Sequence, residues 1–197
     1  MFTRTESFRQ FIRYYPGVSL ITGACLFVFT LLHISILPGK NLFTLLSGVN
    51  LLIDNGEYWR LFTPIFVHAS FPHLLFNCFT LIIIGPGLEN LMGTMRFLLL
   101  FFLSGILANV LTFLAMPLMY VHVGASGAIF GLFGCYAYIL LYRKGIMSKQ
   151  NAQTILVLII VGVVMTFFQT SINIMGHIGG LLIGLVFSPL LFPKNRE

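Results

Sequence analysis

The chain has 197 residues, of which 58% are hydrophobic and 8% are charged, against about a quarter charged in an average soluble domain. Charge that sparse cannot cover a soluble globule, so much apolar content excludes disorder, and 3 Cys, an odd and low count, exclude a disulfide-stapled secreted miniprotein. What remains is an integral membrane protein, whose net charge of +6 lies between apolar stretches and not on a nucleic-acid-binding face with interleaved aromatics.

In chain order, residues 1–17 form an N-terminal segment with Arg4, Arg9 and Arg13. A long apolar run, Val18–Leu37, follows. A cleaved secretory signal would have a shorter apolar region and a small-residue cleavage site, so this run is read as a retained first span. The connection Pro38–Pro72 is long and itself apolar, with Leu42, Phe43, Leu45 and Leu46, then Leu51, Leu52 and Ile53, then Tyr58 to Phe62. It is expected to fold into short helices in the interface, with Tyr58 and Trp59 at headgroup level. Five more runs approach the roughly 20 apolar residues that a spanning helix needs. They are His73–Met92, Met95–Ala115, Ser126–Tyr142, Ala152–Phe168 and Asn173–Phe192. Pro117 and Gly124 interrupt the pattern before Ser126, and the polar run Arg143–Asn151 interrupts it after Tyr142. The expected fold is all-α: a bundle of six transmembrane helices over residues 18–192, with 38–72 as a membrane-interface loop and 193–197 as a tail. No appended module is expected.

The basic residues orient this bundle. With the N-terminus cytoplasmic, six spans place Arg4, Arg9, Arg13, Arg96, Arg143, Lys144, Lys149, Lys194 and Arg196 inside. Only Lys40 and Arg60 fall outside. Nine against two follows the positive-inside rule, and miscounting one span would scramble it. Both termini are therefore expected in the cytoplasm of a multi-pass cell-membrane protein.

Polar groups within membrane helices are costly, so each is a functional candidate. Ser126 opens the fourth span, His177 lies one turn into the sixth, and His73 and Asn77 occupy the first turns of the second. All three spans run from outside to inside, so these residues collect on the outer side. Ser126 and His177 each precede a basic residue, Arg143 or Lys194, by 17 positions. At about 1.5 Å per residue that is roughly 26 Å of helix, which sets both at a similar depth, somewhat below the outer surface. Gly176, Gly180 and Gly184 on the sixth span, and Gly127 and Gly131 on the fourth, let two helix backbones approach closely. Close packing there would bring the serine hydroxyl to the imidazole.

A serine within hydrogen-bond reach of a histidine is an activated nucleophile. The acids are Glu6, Asp54, Glu57, Glu89 and Glu197, and none is well placed below the outer surface. The expectation is a Ser126–His177 dyad, with Ser126 as nucleophile and His177 as general base and acid. Packing and a neutral hydrogen bond would orient the histidine. His73 and Asn77, at i and i+4, share one face and can donate to an oxyanion, as can the backbone N–H of Ser126 at its helix start. No cofactor or metal is required. A metal site from His68, His73 and His177 is disfavoured, because the i, i+5 spacing of His68 and His73 does not suit one helical face and no HExxH is present.

These residues carry a family likeness. The chain resembles the rhomboid intramembrane serine proteases. Glu57-Tyr58-Trp59-Arg60 with Thr63-Pro64 and His68 is similar to that family's first-loop motif, His73-Leu74-Leu75-Phe76-Asn77 to its HxxxN element, and Glu89 to a later acidic position. Gly124-Ala125-Ser126-Gly127 matches its GxSG motif, and Gly176-His177-Ile178-Gly179-Gly180 with Gly184 its sixth-span histidine motif. The resemblance implies a six-helix core, the Ser126/His177 dyad, and an oxyanion site from His73, Asn77 and the Ser126 N–H. It also implies cleavage of transmembrane protein substrates in or near their spans, with lateral access near the fifth span. Two positions depart from the pattern of many relatives. Gly176 stands where they have Ala, and Phe130 where they have a Tyr stacked on the histidine. Gly124, Gly127, Phe130 and Gly180 are expected to support the site. The competing reading is a catalytically inactive rhomboid-like binder of transmembrane clients, which retention of both dyad residues disfavours.

Other polar residues have structural expectations. Trp59 and Arg60 are read as an anchor, His68 as support for the loop, and Glu89 as an inner-end acid satisfying backbone or Arg96. His33 and His122 are expected to be solvated. Cys25, Cys78 and Cys135 are expected to pack within spans, and Pro86 to bend the second span or be absorbed near its end.

Overall fold

A computed structural model describes residues 5–33, 39–168 and 172–192. Arg4, Leu37, Pro38, Lys194, Arg196 and the 193–197 tail lie outside the described residues. The described residues are mostly helical, with one pair of two-residue strands among them. Helix α1 (Phe8–Tyr14), which the apolar pattern does not announce, opens with Ser7 and Gln10 forming a capping box. Pro16 then starts α2 (Pro16–His33), a position where the missing N–H of proline is harmless.

Helix α2 is the first long apolar helix. Its N-terminus is capped from a distance. The Glu89 carboxylate accepts from the Gly17 N–H (2.7 Å) and the Val18 N–H (3.0 Å), and also from the Thr94 hydroxyl (2.8 Å). A buried anion at a helix N-terminus meets both the free N–H groups and the positive end of the helix dipole. Glu89 thus satisfies backbone, as expected, at the end of α5 (Phe71–Met92), the helix that contains Pro86.

The connection between α2 and α5 folds into the expected short helices. They are α3 (Gly39–Leu46), α4 (Asn50–Asp54), and two 3₁₀ turns over Tyr58–Leu61 and Thr63–Phe66. Arg60 holds them together: it pairs with Glu57 (2.6 Å) and donates to the Thr44 (2.5 Å) and Ser47 (2.7 Å) carbonyls. This is the anchor role expected of it.

Next come α6 (Thr94–Ala115), α7 (Ser126–Tyr142), α8 (Lys149–Phe168) and α9 (Ile174–Leu191). Five helices, α2, α5, α6, α8 and α9, are long and apolar enough to cross a membrane; α7 is apolar and shorter, at 17 residues. Each of the six expected spans thus coincides with an apolar helix, five of spanning length and α7 shorter. Every residue from Ala128 to Tyr136 on α7 is buried, so α7 is the central post of the bundle. Cys25, Cys78 and Cys135 are buried as packing residues.

Glycine sets how closely the post is gripped. A Cβ on Gly180 would collide with the Gly127 carbonyl, one on Gly184 with the Gly131 carbonyl, and one on Gly134 with the Leu181 carbonyl. Helices α7 and α9 therefore touch backbone to backbone along three turns. On the other side of α7, a Cβ on Gly131 would strike Ser104 of α6.

Strand β1 (Gly48–Val49) pairs antiparallel with β2 (Val121–His122), Gly48 facing His122. The pairing corrects one expectation: His122 is 5% exposed, not solvated. Gly48 leaves the room its ring fills, since any Cβ there would run into the imidazole, and Tyr120 stacks along it (6.3 Å, 22°). His33, by contrast, is exposed on α2, stacked on Phe29 and donating to its carbonyl (2.8 Å).

The Glu89 cap has a measurable consequence. Glu89→Ala leaves two buried N–H groups without their charged acceptor, and thermal unfolding in detergent should show a loss of about 3 kcal/mol. Glu89→Gln, which can still accept, should lose less.

Candidate active site

The nucleophile candidate lies on a turn held from several directions. Gly124 has φ +117°, a conformation that side chains rarely adopt. It also lies under the His73 ring, whose Nε2 would be 2.7 Å from any Cβ at Gly124. The glycine two positions before Ser126 therefore answers two constraints at once. Its N–H donates to the Pro64 carbonyl (2.8 Å), which fastens the turn to the interfacial loop.

That loop grips the whole α6–α7 connection. Beyond the β1–β2 pair, the Asn50 N–H donates to the Tyr120 carbonyl (3.1 Å) and the Leu51 N–H to the Leu118 carbonyl (2.7 Å). The Asn50 side chain donates to the Met116 and Pro117 carbonyls, each at 3.1 Å. Asn109 of α6 donates to the Leu61 carbonyl (2.9 Å). Irregular backbone near a membrane must satisfy its polar groups within the protein. These asparagines do so.

Ser126 is the first residue of α7 and is half-buried. The Ala125 carbonyl takes the Ile129 N–H (3.0 Å), so the N–H groups of the first turn, that of Ser126 included, have no partner within the helix. One turn on, the Phe130 ring stacks on the imidazole of His177 (4.1 Å, 17°). Beside Ser126, Gly127 lies against the Gly176 carbonyl, 3.4 Å from where a Cβ would stand. Residues 127 and 130 thus touch 176 and 177, and Ser126 opens the helix face that meets the histidine.

His177 sits in the first turn of α9, 8% exposed. The Asn173 side chain caps this helix, accepting from the Gly176 N–H (2.9 Å) and donating to Thr112 of α6 (2.8 Å). Gly176 leaves room for this cap, since a Cβ would stand 2.6 Å from the Asn173 amide and push it aside. The Nδ1 of His177 is 2.9 Å from the hydroxyl of Thr166 on α8.

On the opposite side stands the pair from α5. Ser70 caps this helix, accepting from the His73 N–H (3.3 Å). Asn77 is 7% exposed, and its amide nitrogen donates one hydrogen to the His73 carbonyl (2.8 Å), leaving the second. His68 is fully buried, its ring edge-on to His73 (5.0 Å, 67°), with Nδ1 on the Phe66 carbonyl (3.3 Å).

The structure therefore sets His73 on Gly124, Gly127 against Gly176 and Gly180, and Phe130 on His177, with Ser126 opening α7 beside them and Asn77 bonded to the His73 carbonyl one turn along α5. Sequence reasoning missed Thr166, Asn173 and Asn109. The polar residues on helix interiors were the available signal, but pairing them needs the rotation of each helix. Among the described residues, no group of three or more His, Cys, Asp or Glu could hold a metal ion.

Comparisons with known proteins give one answer. A family profile described as the Rhomboid domain matches residues 55–194. YdcA of Bacillus subtilis (strain 168), named provisionally as a rhomboid protease, is 44% identical over 200 residues, covering 100% of this chain and 99% of that protein. Rhomboid protease GluP of the same organism is 39% identical over 146 residues, covering 74% of this chain and 28% of GluP. Rhomboid-like protease 1 of Toxoplasma gondii is 36% identical over 150 residues, covering 74% of this chain and 50% of its own length.

Two buried histidines outside the spanning helices bear on stability. Burial, with His73 nearby, outweighs the Phe66 hydrogen bond and pushes His68 down to about 4. Burial alone pushes His122 down to about 4. Between pH 6.5 and 4 the unfolded chain binds protons that these rings refuse in the fold, so stability rises with pH across that window. The contribution is complete above pH 6.5 and lost as pH falls to about 4, up to about 3 kcal/mol per ring. Melting temperature in detergent should fall from pH 6.5 to pH 4, and fall less steeply in His122→Phe.

Proposed function

The chain belongs to the rhomboid family and is a serine protease of the membrane, and on that premise we propose that Ser126 and His177 form its catalytic dyad. One observation carries the reading. The Gly124–Ser126 turn is bounded by His73 on one side and by the Phe130–His177 stack on the other. No other serine among the described residues opens a helix between two histidines.

The reaction runs as acyl transfer. Ser126 Oγ attacks the scissile carbonyl while His177 takes its proton, and His177 then returns that proton to the leaving amine. The tetrahedral oxyanion accepts from the Ser126 N–H, from the free amide hydrogen of Asn77, and from His73. Such donors are worth about 10²–10³ in rate each where removal has been measured. Water then hydrolyses the acyl-enzyme by the same steps in reverse order. No metal or cofactor takes part.

The substrates are transmembrane proteins, cut within or near their spans, and they approach from the lipid near α8. Helix α8 has only Ile155 and Thr166 buried, so it offers the least packed side of the bundle. His73, Ser126 and His177 all lie in the first turns of their helices, which supports a site opening to the outer side. The nine-against-two charge balance supports cytoplasmic termini.

Purified protein in proteoliposomes with tagged single-span proteins tests the assignment. Wild type should cleave, and Ser126→Ala and His177→Ala should not. Asn77→Ala should slow cleavage by about 10²-fold with the fold intact. Sustained cleavage by Ser126→Ala would overturn the dyad, and tight binding of these proteins without cleavage by wild type would favour a client-binding role.

A further inference from the structure

Most serine hydrolases orient their histidine with a carboxylate. Among the described residues the carboxylates are engaged elsewhere or lie apart. Glu57 is on Arg60, Glu89 caps α2, Asp54 ends α4, and Glu6 precedes α1. What meets His177 instead is a threonine hydroxyl on α8.

The Thr166 hydroxyl has one proton. It donates this proton to the Gly162 carbonyl one turn earlier (2.9 Å), the usual back-bond of a helical threonine. Towards His177 Nδ1, also at 2.9 Å, the same oxygen can then only accept. With the hydroxyl proton on Gly162, Nδ1 carries the hydrogen of the Thr166 contact, and in a neutral imidazole the other nitrogen, Nε2, is then unprotonated. This is the tautomer that a general base facing Ser126 requires.

The setting makes the contact durable. Thr166 is fully buried although most of α8 is not. Gly162 lies against the Phe130 and Phe133 rings, 3.5 Å from where a Cβ would stand. Phe130 in turn stacks on His177. The imidazole is thus held on its face by α7 and at its Nδ1 edge by α8.

We infer that Thr166 is a positioning residue. From α8 it accepts the Nδ1 hydrogen of His177, fixes the ring in the tautomer with Nε2 free, and so makes alignment of the base depend on α8 being docked. The inference rests on the dyad reading. In the acylation step the Ser126 proton passes to Nε2, while the Nδ1 hydrogen stays on the ring and remains donated to Thr166. No further proton moves.

Two measurements test it. With ¹⁵N-histidine-labelled protein, and His177→Ala to assign the signal, wild type should show Nδ1 protonated and Nε2 not. Thr166→Val, nearly isosteric, should show a mixture of tautomers. The limiting rate of inactivation by a fluorophosphonate should fall on the order of ten-fold in Thr166→Val, with the concentration for half-maximal rate unchanged, and Thr166→Ser should restore it. An unchanged limiting rate in Thr166→Val, or failure of Thr166→Ser to restore it, would overturn the inference and leave the dyad standing. So would a wild-type His177 protonated at Nε2, a result that does not depend on any variant folding. Wild-type reaction at Ser126 that is indifferent to His177→Ala would overturn the dyad reading and this inference together.

Discussion

The contact on which the structure depends is glycine against backbone between α7 and α9. Membrane helices gain nothing from hiding apolar side chains from one another, since lipid is equally apolar. Close association must come from packing, and packing at this range is available only where Cβ atoms are missing. Gly180 on the Gly127 carbonyl and Gly184 on the Gly131 carbonyl meet that condition. With the two backbones in register, the first turns of both helices lie side by side, and Ser126 and His177 occupy those turns. The same stripe explains why α7 can be buried from Ala128 to Tyr136 while neighbouring helices show their apolar faces to lipid.

A second constraint is the handling of polar backbone. The Gly124–Ser126 turn is irregular, and irregular backbone near lipid needs internal partners. The 39–68 connection supplies them through the Pro64 carbonyl, the β1–β2 pair and Asn50. It is in turn held by Arg60 and Asn109. A loop that looks like a mere interfacial covering is the mould in which the Gly124–Ser126 turn is set. Fixed donors and a fixed turn are what electrostatic stabilisation of an oxyanion demands, because they need no reorganisation during reaction.

Much of this was legible in the chain. Run length found six apolar helices, and the Gly-x₃-Gly spacing of Gly176, Gly180 and Gly184 marked the face that α9 presents. The GxSG and HxxxN spacings marked the Gly124–Ser126 turn and the His73 ring that lies over Gly124. What stayed hidden has a common cause. His122 was expected in solvent because nothing local shows that Gly48, 74 positions earlier in the sequence, leaves a slot for its ring. Thr166 looks like any β-branched residue on a lipid-facing helix until the rotation of α8 about its own axis is known. Helix α1 is short and polar on several sides, so no periodic stripe announces it. Long-range pairings of single polar side chains leave no period in a sequence, whereas spans and small-residue ridges do.

The central claim is that glycine packing delivers a reactive serine to a histidine inside the bilayer. Labelling of the purified, folded protein with an activated fluorophosphonate, mapped by mass spectrometry, tests it most directly. The account expects the label on Ser126 in wild type, and its loss in His177→Ala. A folded wild-type protein in lipid that takes no label at Ser126, or takes it equally well without His177, would contradict it.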